Sequence, residues 1–193
     1  MPFALSPLRL AALMSLVCGM AQAADRTATL QGAAVIAGKD RPVTIRLACD
    51  DTLAKSQTGA LSLTLAVRNF EALGAAFDFG AFEGPGATRK ALSELTATGP
   101  GSTPALRSAA SGSVSAEMPD TFELTVSASM RGDAKRLDAV RGLATVLSAR
   151  PSTVIWSQVS PRKGDAPLIA TVVVSDADSA RIKTAVAPCL AKR

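Results

Sequence analysis

The sequence predicts a single α+β domain built on a mainly antiparallel β-sheet with two helices, and three observations support this fold class. Several stretches alternate apolar and polar residues with a period of two, which is typical of strands with one face on a core. Two later segments repeat apolar residues at helical spacing. Strands dominate the chain before residue 122, and strands and helices mix after it, an order that favours α+β architecture.

The strand predictions differ in the strength of their pattern. Clear alternation predicts half-buried strands, and two later runs that are less polar and rich in β-branched residues predict central strands. Residues 88–96 fit either a short helix or a strand. The clear strands are 43–49, 61–67 and 122–130; the weaker ones are 27–36, 77–82 and 113–117; the central ones are 153–159 and 168–174.

Helices are predicted near 133–149 and 176–190. Asp133 can cap the first helix, and Pro151 disfavours helical geometry in the residue before it, so this helix ends near residue 150. Ser175, followed by an acidic residue three positions later, predicts a capping box for the second helix. The two apolar faces are Leu137, Val140, Ala144 and Leu147, and Ile182, Ala185, Val186 and Cys189.

Segment 1–23 has the features of a secretory signal peptide. Arg9 precedes an apolar run over 10–20, and Ala21-Gln22-Ala23 forms the small-x-small pattern of a cleavage site. The apolar run is too short to span a bilayer as a stable helix. We therefore expect residues 24–193 to form one exported domain, in the periplasm or secreted, with no transmembrane segment. The high alanine and arginine content is typical of a bacterial chain.

The cysteines predict one disulfide. Cys18 lies in the predicted signal peptide, where lipidation is a less favoured alternative to simple cleavage. Cys49 and Cys189 remain, and an even count in an exported chain indicates that they are bonded, with two buried thiols as the alternative. This bond would join the two ends of the domain. Residues 99–112, rich in Gly, Pro, Ser and Ala, are interpreted as a flexible loop rather than a domain boundary.

The absence of histidine removes several kinds of enzyme from consideration. Ser-His-Asp, Cys-His and histidine-based zinc hydrolases are excluded, and two cysteines alone cannot complete a zinc site. No cofactor motif is present, so we expect neither metal nor cofactor. Carboxylates are the remaining catalytic candidates, because a carboxyl group beside aromatic rings can act as an acid in glycoside hydrolysis. These candidates are Asp78, Glu83 and Asp165.

Two groups of residues are candidates for binding. Phe77, Phe79 and Phe82 lie among glycines and carboxylates and could line a ligand site, although a buried core position is the preferred interpretation. Residues 131–193 carry 11 Lys and Arg against 5 Asp and Glu, which could suit an anionic envelope surface or an acidic protein. An ordinary solvated face is the preferred alternative. The basic candidates are Lys135, Arg136, Arg162 and Lys163.

These observations favour a non-enzymatic binding or interaction module of the bacterial cell envelope. Its partner would be a protein or an anionic surface, and its oligomeric state is open. Nucleic acid is not expected, because the basic residues are not interleaved with aromatic ones. Ser160 and Lys163 match an S-x-x-K spacing, but Pro161 and Gly164 indicate a turn there. The alternatives are a carboxylate-dependent hydrolase of envelope glycan and a carrier of an apolar ligand.

Overall fold

The computed structural model describes residues 26–50, 60–99, 104–129 and 134–191. The predicted signal peptide and the capping residue Asp133 lie outside these residues. The fold is α+β, as the sequence predicts, with nine strands and two helices in the described part of the chain. The strands are β1 (Thr27–Ile36), β2 (Lys39–Asp50), β3 (Ala60–Arg68), β4 (Ser93–Thr98), β5 (Leu106–Ser108), β6 (Ser111–Val114), β7 (Thr121–Ser129), β8 (Ser152–Gln158) and β9 (Leu168–Val174); the helices are α1 (Ala134–Ala149) and α2 (Asp176–Leu190).

All nine strands belong to one sheet, in the order β5-β4-β8-β9-β1-β2-β3-β7-β6, and neighbouring strands are antiparallel. The edge strands β5 and β6 are consecutive in the chain, with only Ala109 and Ala110 between them. Three peptide steps cover at most about 11 Å, so the two ends of the sheet come together. The sheet is therefore curled.

The two helices lie against the concave inner face of this curled sheet. Helix α1 contacts strands from both ends of the sheet, and α2 contacts β1, β2 and β3. The inward side chains of the strands and the buried faces of the helices form one hydrophobic core, with Trp156 as its largest fully buried side chain. The apolar residues of each alternating strand thus lie on the face that the helices cover. The opposite face of the sheet is turned away from the helices, and we call it the outer face. None of the described helices is long and apolar enough to cross a membrane.

The predicted disulfide between Cys49 and Cys189 is confirmed. The Cα atoms are 5.9 Å apart, inside the range of about 4.4–6.8 Å that disulfides span. Cys49 points inward from β2, and Cys189 lies on the buried face of α2, so the bond fastens the last helix onto an early strand. Ser175 and Asp178 form the predicted capping box at the start of α2.

Two segments differ from the predictions. Residues 77–82, predicted as a weak strand, form no strand and instead contain a 3-10 turn at Gly80–Phe82. A side chain takes the place of a strand partner here, because the backbone N–H of Ala81 donates a hydrogen bond to Asp78 Oδ1 at 3.3 Å. Residues 99–112, predicted as a loop, include β5 and the start of β6. Their small polar residues give a loop-like composition, and pairing with β4 and β7 makes them strands.

Candidate binding surface

Asp165, one of the three carboxylate candidates, lies in the turn between β8 and β9. Its side chain is only 7% exposed. Oδ1 accepts a hydrogen bond from Arg162 Nε at 2.7 Å, and Oδ2 accepts one from Ser160 Oγ at 2.5 Å. Oδ2 also accepts from the backbone N–H of Asp78 at 3.1 Å. Asp165 therefore connects its own turn to the segment that carries Asp78.

Arg162 completes this connection. Its Nη2 donates to the carbonyl oxygens of Gly74 and Ala75 at 3.0 and 3.1 Å. The hydrogen bond from Arg162 lowers the pKa of Asp165 and outweighs the opposing effect of burial, with further lowering by Ser160 and the Asp78 N–H. The same pair raises the pKa of Arg162. A proton donor in glycoside hydrolysis needs a raised pKa, so Asp165 has the opposite electrostatic environment.

The structure brings together two of the three carboxylate candidates, and it joins them by a hydrogen bond from the main-chain N–H of Asp78 to the carboxylate of Asp165. Asp78 is half-buried, and its carboxylate accepts from the following turn. Glu83 is exposed just after that turn, where its backbone forms an isolated bridge with Gly112. Among the described residues, no group of three His, Cys, Asp or Glu side chains could hold a metal ion. Catalysis by these carboxylates stays a prediction without a geometric argument in its favour.

The phenylalanine candidates lie in the core. Phe77, Phe79 and Phe82 are all buried, and the ring of Phe77 lies 4.7 Å from that of Phe79 and 5.9 Å from that of Phe82, between centroids. Phe79 also packs against Phe70 and Phe122 at 5.5 and 5.2 Å. These rings fill the space between the 70–82 segment and the sheet, which agrees with the preferred core interpretation.

The four basic candidates have different surroundings. Arg162 is engaged as described, whereas Lys163 is exposed in the same turn, which agrees with a turn rather than a helix for the S-x-x-K residues. Lys135 is exposed at the start of α1. Arg136 lines an open cavity of about 370 Å³ together with Arg89. The four basic candidates are therefore divided between the turn after β8 and the start of α1.

The outer face of the sheet carries an exposed apolar patch that the sequence analysis missed. Val173 is 72% exposed, Val35 43% and Ile169 41%. Val35 and Ile169 are paired residues of β1 and β9, and Val173 lies four residues further along β9 on the same face. Half-buried Ile155, on β8, is paired with Thr171 between them. We call Val35, Ile155, Ile169 and Val173 the outer patch.

The outer patch has a signal in the sequence. Strand β9 reads Leu-Ile-Ala-Thr-Val-Val-Val and is apolar on both faces, which led to the prediction of a central strand. β9 is central in the order of strands, but only one of its faces is covered. Among the described residues, no second layer covers the outward side of β9, and contiguous exposed apolar patches are typical of interaction sites.

Comparisons with known proteins add no relative: no family model, no curated protein and no solved structure matches the chain.

Proposed function

We propose that this protein is an exported, non-enzymatic binding or interaction module of the bacterial cell envelope, and that the outer patch is its contact surface. The observation that carries the proposal is the cluster of exposed β-branched side chains on neighbouring strands. Single exposed apolar residues are ordinary, whereas a contiguous patch is typical of an interaction site. Burial of apolar surface contributes about 25 cal/mol per Å², so a partner that covers these side chains gains stability from each of them.

Two features support export. The disulfide between Cys49 and Cys189 suits an oxidising compartment such as the periplasm. The sequence of segment 1–23 supplies the signal for reaching it.

The alternatives have less support. A glycan hydrolase would use Asp78, Glu83 or Asp165, but the carboxylate of Asp165 is held by Arg162 and Ser160 and has a lowered pKa. A carrier of an apolar ligand would use the phenylalanines, but these rings pack against one another. The outer patch needs neither chemistry nor an internal cavity.

Site-specific photo-crosslinking in bacterial cells that naturally make the protein tests the contact surface. A photoreactive amino acid at Val173 should give a discrete adduct with one partner. The matched control is Ser127, which is also exposed on the outer face but lies on β7, away from the patch. Equal adducts at both positions, or none at Val173, would argue against the outer patch as the contact surface.

Export and the kind of partner are tested separately. Intact-mass measurement of protein from a periplasmic fraction should give a chain that begins at Ala24 or Asp25, and a chain that retains Met1 would contradict export. Flotation with anionic vesicles at low and high salt tests the alternative partner, since binding through exposed basic residues is screened within about 8 Å at physiological ionic strength. Salt-sensitive flotation lost in a Lys135→Gln, Lys163→Gln variant would favour the anionic surface over a protein.

A further inference from the structure

An open cavity lies where the two ends of the curled sheet meet. Its volume is about 370 Å³, and its walls come from segment 84–89, the link between β5 and β6, strand β7 and the start of α1. This volume falls at the lower end of the range of about 300–1,000 Å³ that is typical of small-molecule sites. None of the described residues that line the cavity belongs to β1, β8 or β9, so it is separate from the outer patch.

The wall formed by segment 84–89 is held in place by the core. A Cβ atom at Gly112 would lie 2.5 Å from the ring of Phe122 and 2.9 Å from Phe82 Cβ, so only glycine lets the turn at Phe82 pack this closely on β6. The backbone N–H of Thr88 donates to Ala81 O at 2.8 Å, which closes the segment back onto that turn. Contacts within the chain therefore set the shape of the wall, and such preorganisation lowers the cost of binding.

Arg89 supplies an uncompensated positive charge to this cavity. It is exposed, and its side chain forms no hydrogen bond or ion pair within the described part of the chain. Arg107, Arg162 and Arg181, by contrast, are each paired with a carboxylate. No Asp or Glu is among the described residues that line the cavity, and Glu83, which precedes segment 84–89, is not a lining residue. The donors of the Arg89 guanidinium are therefore available to a ligand.

Other donors line the cavity with Arg89. Arg136 is half-buried and already interacts within the chain, but a guanidinium has several N–H donors and can serve a ligand as well. Thr88 Oγ1 accepts a hydrogen bond from Lys90 N at 3.3 Å, which leaves its own O–H to donate. Three more serine and threonine residues line the cavity, and its apolar lining residues are alanine and proline. The lining therefore suits a hydrophilic, negatively charged ligand with several acceptor oxygens.

We propose that this cavity binds the phosphate group of a small water-soluble ester or of a lipid headgroup, with Arg89 as its main charged contact. A phosphate group presents more acceptor oxygens than a carboxylate, and guanidinium groups bind it through paired hydrogen bonds. The hydroxyl of Thr88 donates to a further phosphate oxygen. This inference goes beyond the proposed function, because it concerns a different surface and a different class of ligand.

NMR titration at constant ionic strength tests the site. Glycerol 3-phosphate should shift the signals of Thr88 and Arg89 and reach saturation in the millimolar range. Arg89→Gln should weaken this binding at least about tenfold, because a charge-assisted hydrogen bond is lost. The matched control, Lys90→Gln, removes the same charge one residue away and outside the lining, and it should change the affinity by no more than about twofold, because exposed charges are screened. Absence of saturable shifts, or equal losses in the two variants, would overturn the inference.

Further measurements identify the ligand class and its source. Acetate that binds as tightly as glycerol 3-phosphate would overturn the assignment to phosphate. Flotation with phosphatidylglycerol vesicles that is lost in the Arg89→Gln variant would support a lipid headgroup, and binding of glycerol 3-phosphate without such flotation would support a soluble ester. The thermal midpoint and the Val173 crosslink should be unchanged in this variant, because Arg89 is exposed and the outer patch lies on other strands. A lost crosslink would contradict a separate site.

Discussion

The two halves of the outer face, formed by β2, β3 and β7 and by β8, β9 and β1, differ in whether their side chains form polar pairs with one another. On β2, β3 and β7, Arg46 Nη2 lies 3.4 Å from Glu123 Oε2, and the hydroxyls of Thr64 and Thr125 are 3.0 Å apart. On β8, β9 and β1, the corresponding positions include the exposed apolar residues of the outer patch. The side chains of the first half pair with one another, and the second half leaves apolar area exposed to solvent.

The cause of this difference lies in the outward residues and not in the packing below them. Both halves cover the same continuous core, in which Leu30, Ile45, Leu63 and Val172 are fully buried. Cross-strand polar pairs contribute roughly 0.2–1 kcal/mol each, which makes an exposed sheet face stable by itself. Uncovered valine and isoleucine contribute little until they are buried. The comparison therefore supports the proposal that the outer patch is a contact surface, since polar pairs occupy the other half of the same face.

Loss of the disulfide should have the largest effect, because the bond holds α2 beneath both halves. In a Cys49→Ala, Cys189→Ala variant, the unfolded chain regains the entropy of a loop closed over 140 residues. The chain-entropy model gives up to about 5 kcal/mol for such a loop. Urea unfolding should show a much lower midpoint in the variant, with a similar loss on reduction of the natural protein. Unchanged midpoints would mean that packing alone holds α2.

Gly32→Ala should damage the crossing of β9 over β1 and so affect the half with the outer patch. The new Cβ would press on the carbonyl oxygen of Thr171, and overpacking of this kind costs roughly 1–3 kcal/mol. Gly142→Ala is the matched control, since a Cβ there meets nothing within 4 Å. In the interior of α1 that change should stabilise by about 1 kcal/mol. Opposite shifts of the thermal midpoint are expected, and shifts of the same sign would contradict the close crossing.

The sequence predicts local periodicity well and distant pairing poorly. Alternation places Ile45 and Leu63 in the core, and helical spacing gives α2 with its bounds. Neither pattern could show that the small residues near Leu106 pair with β4 and β7, because that pairing depends on the curl of the whole sheet. The outer patch was missed for the same reason. Valine is typical of a buried position, and only the fold shows that Val173 is exposed, with no layer of the described residues above it.

Asp165→Asn should change how the stability of the protein depends on pH. Asp165 lies in the turn between β8 and β9, in the half of the sheet that carries the outer patch. The folded-state pKa of Asp165 is lowered, mainly by Arg162, so the unfolded chain binds more protons in acid. Its stabilising contribution is complete above the unfolded pKa of about 3.9 and is lost as the pH falls through the folded pKa. The variant should be less stable than the natural protein at pH 7, and the difference should shrink below pH of about 4. A difference that stays constant with pH would exclude this ionic contribution.

The pair of Arg46 and Glu123, on the half of the outer face formed by β2, β3 and β7, should contribute only modestly to the free energy of unfolding. Both side chains are partly exposed, and such pairs contribute roughly 0.2–1 kcal/mol. A double-mutant cycle with Arg46→Gln and Glu123→Gln measures this coupling by urea unfolding. The coupling should decrease at high salt, because exposed charges are screened. A coupling that does not respond to salt would indicate a contact other than charge pairing.

Val173→Thr should have the smallest effect on stability, and comparison with its neighbour makes it informative. Val173 faces solvent on the outer face, whereas Val172 on the same strand is fully buried. The same substitution at Val172 puts a hydroxyl into the core and should cost roughly 1–3 kcal/mol. At Val173 the change should stay within about 0.5 kcal/mol, as for most surface positions.

Because threonine keeps the β-branched shape and the strand propensity, any loss of partner crosslinking from a photoreactive residue at Ile169 in the Val173→Thr variant reflects lost apolar contact. A large loss of stability at Val173 would instead mean that the outer patch supports the fold itself, and the contrast between the two halves would then no longer indicate a binding surface.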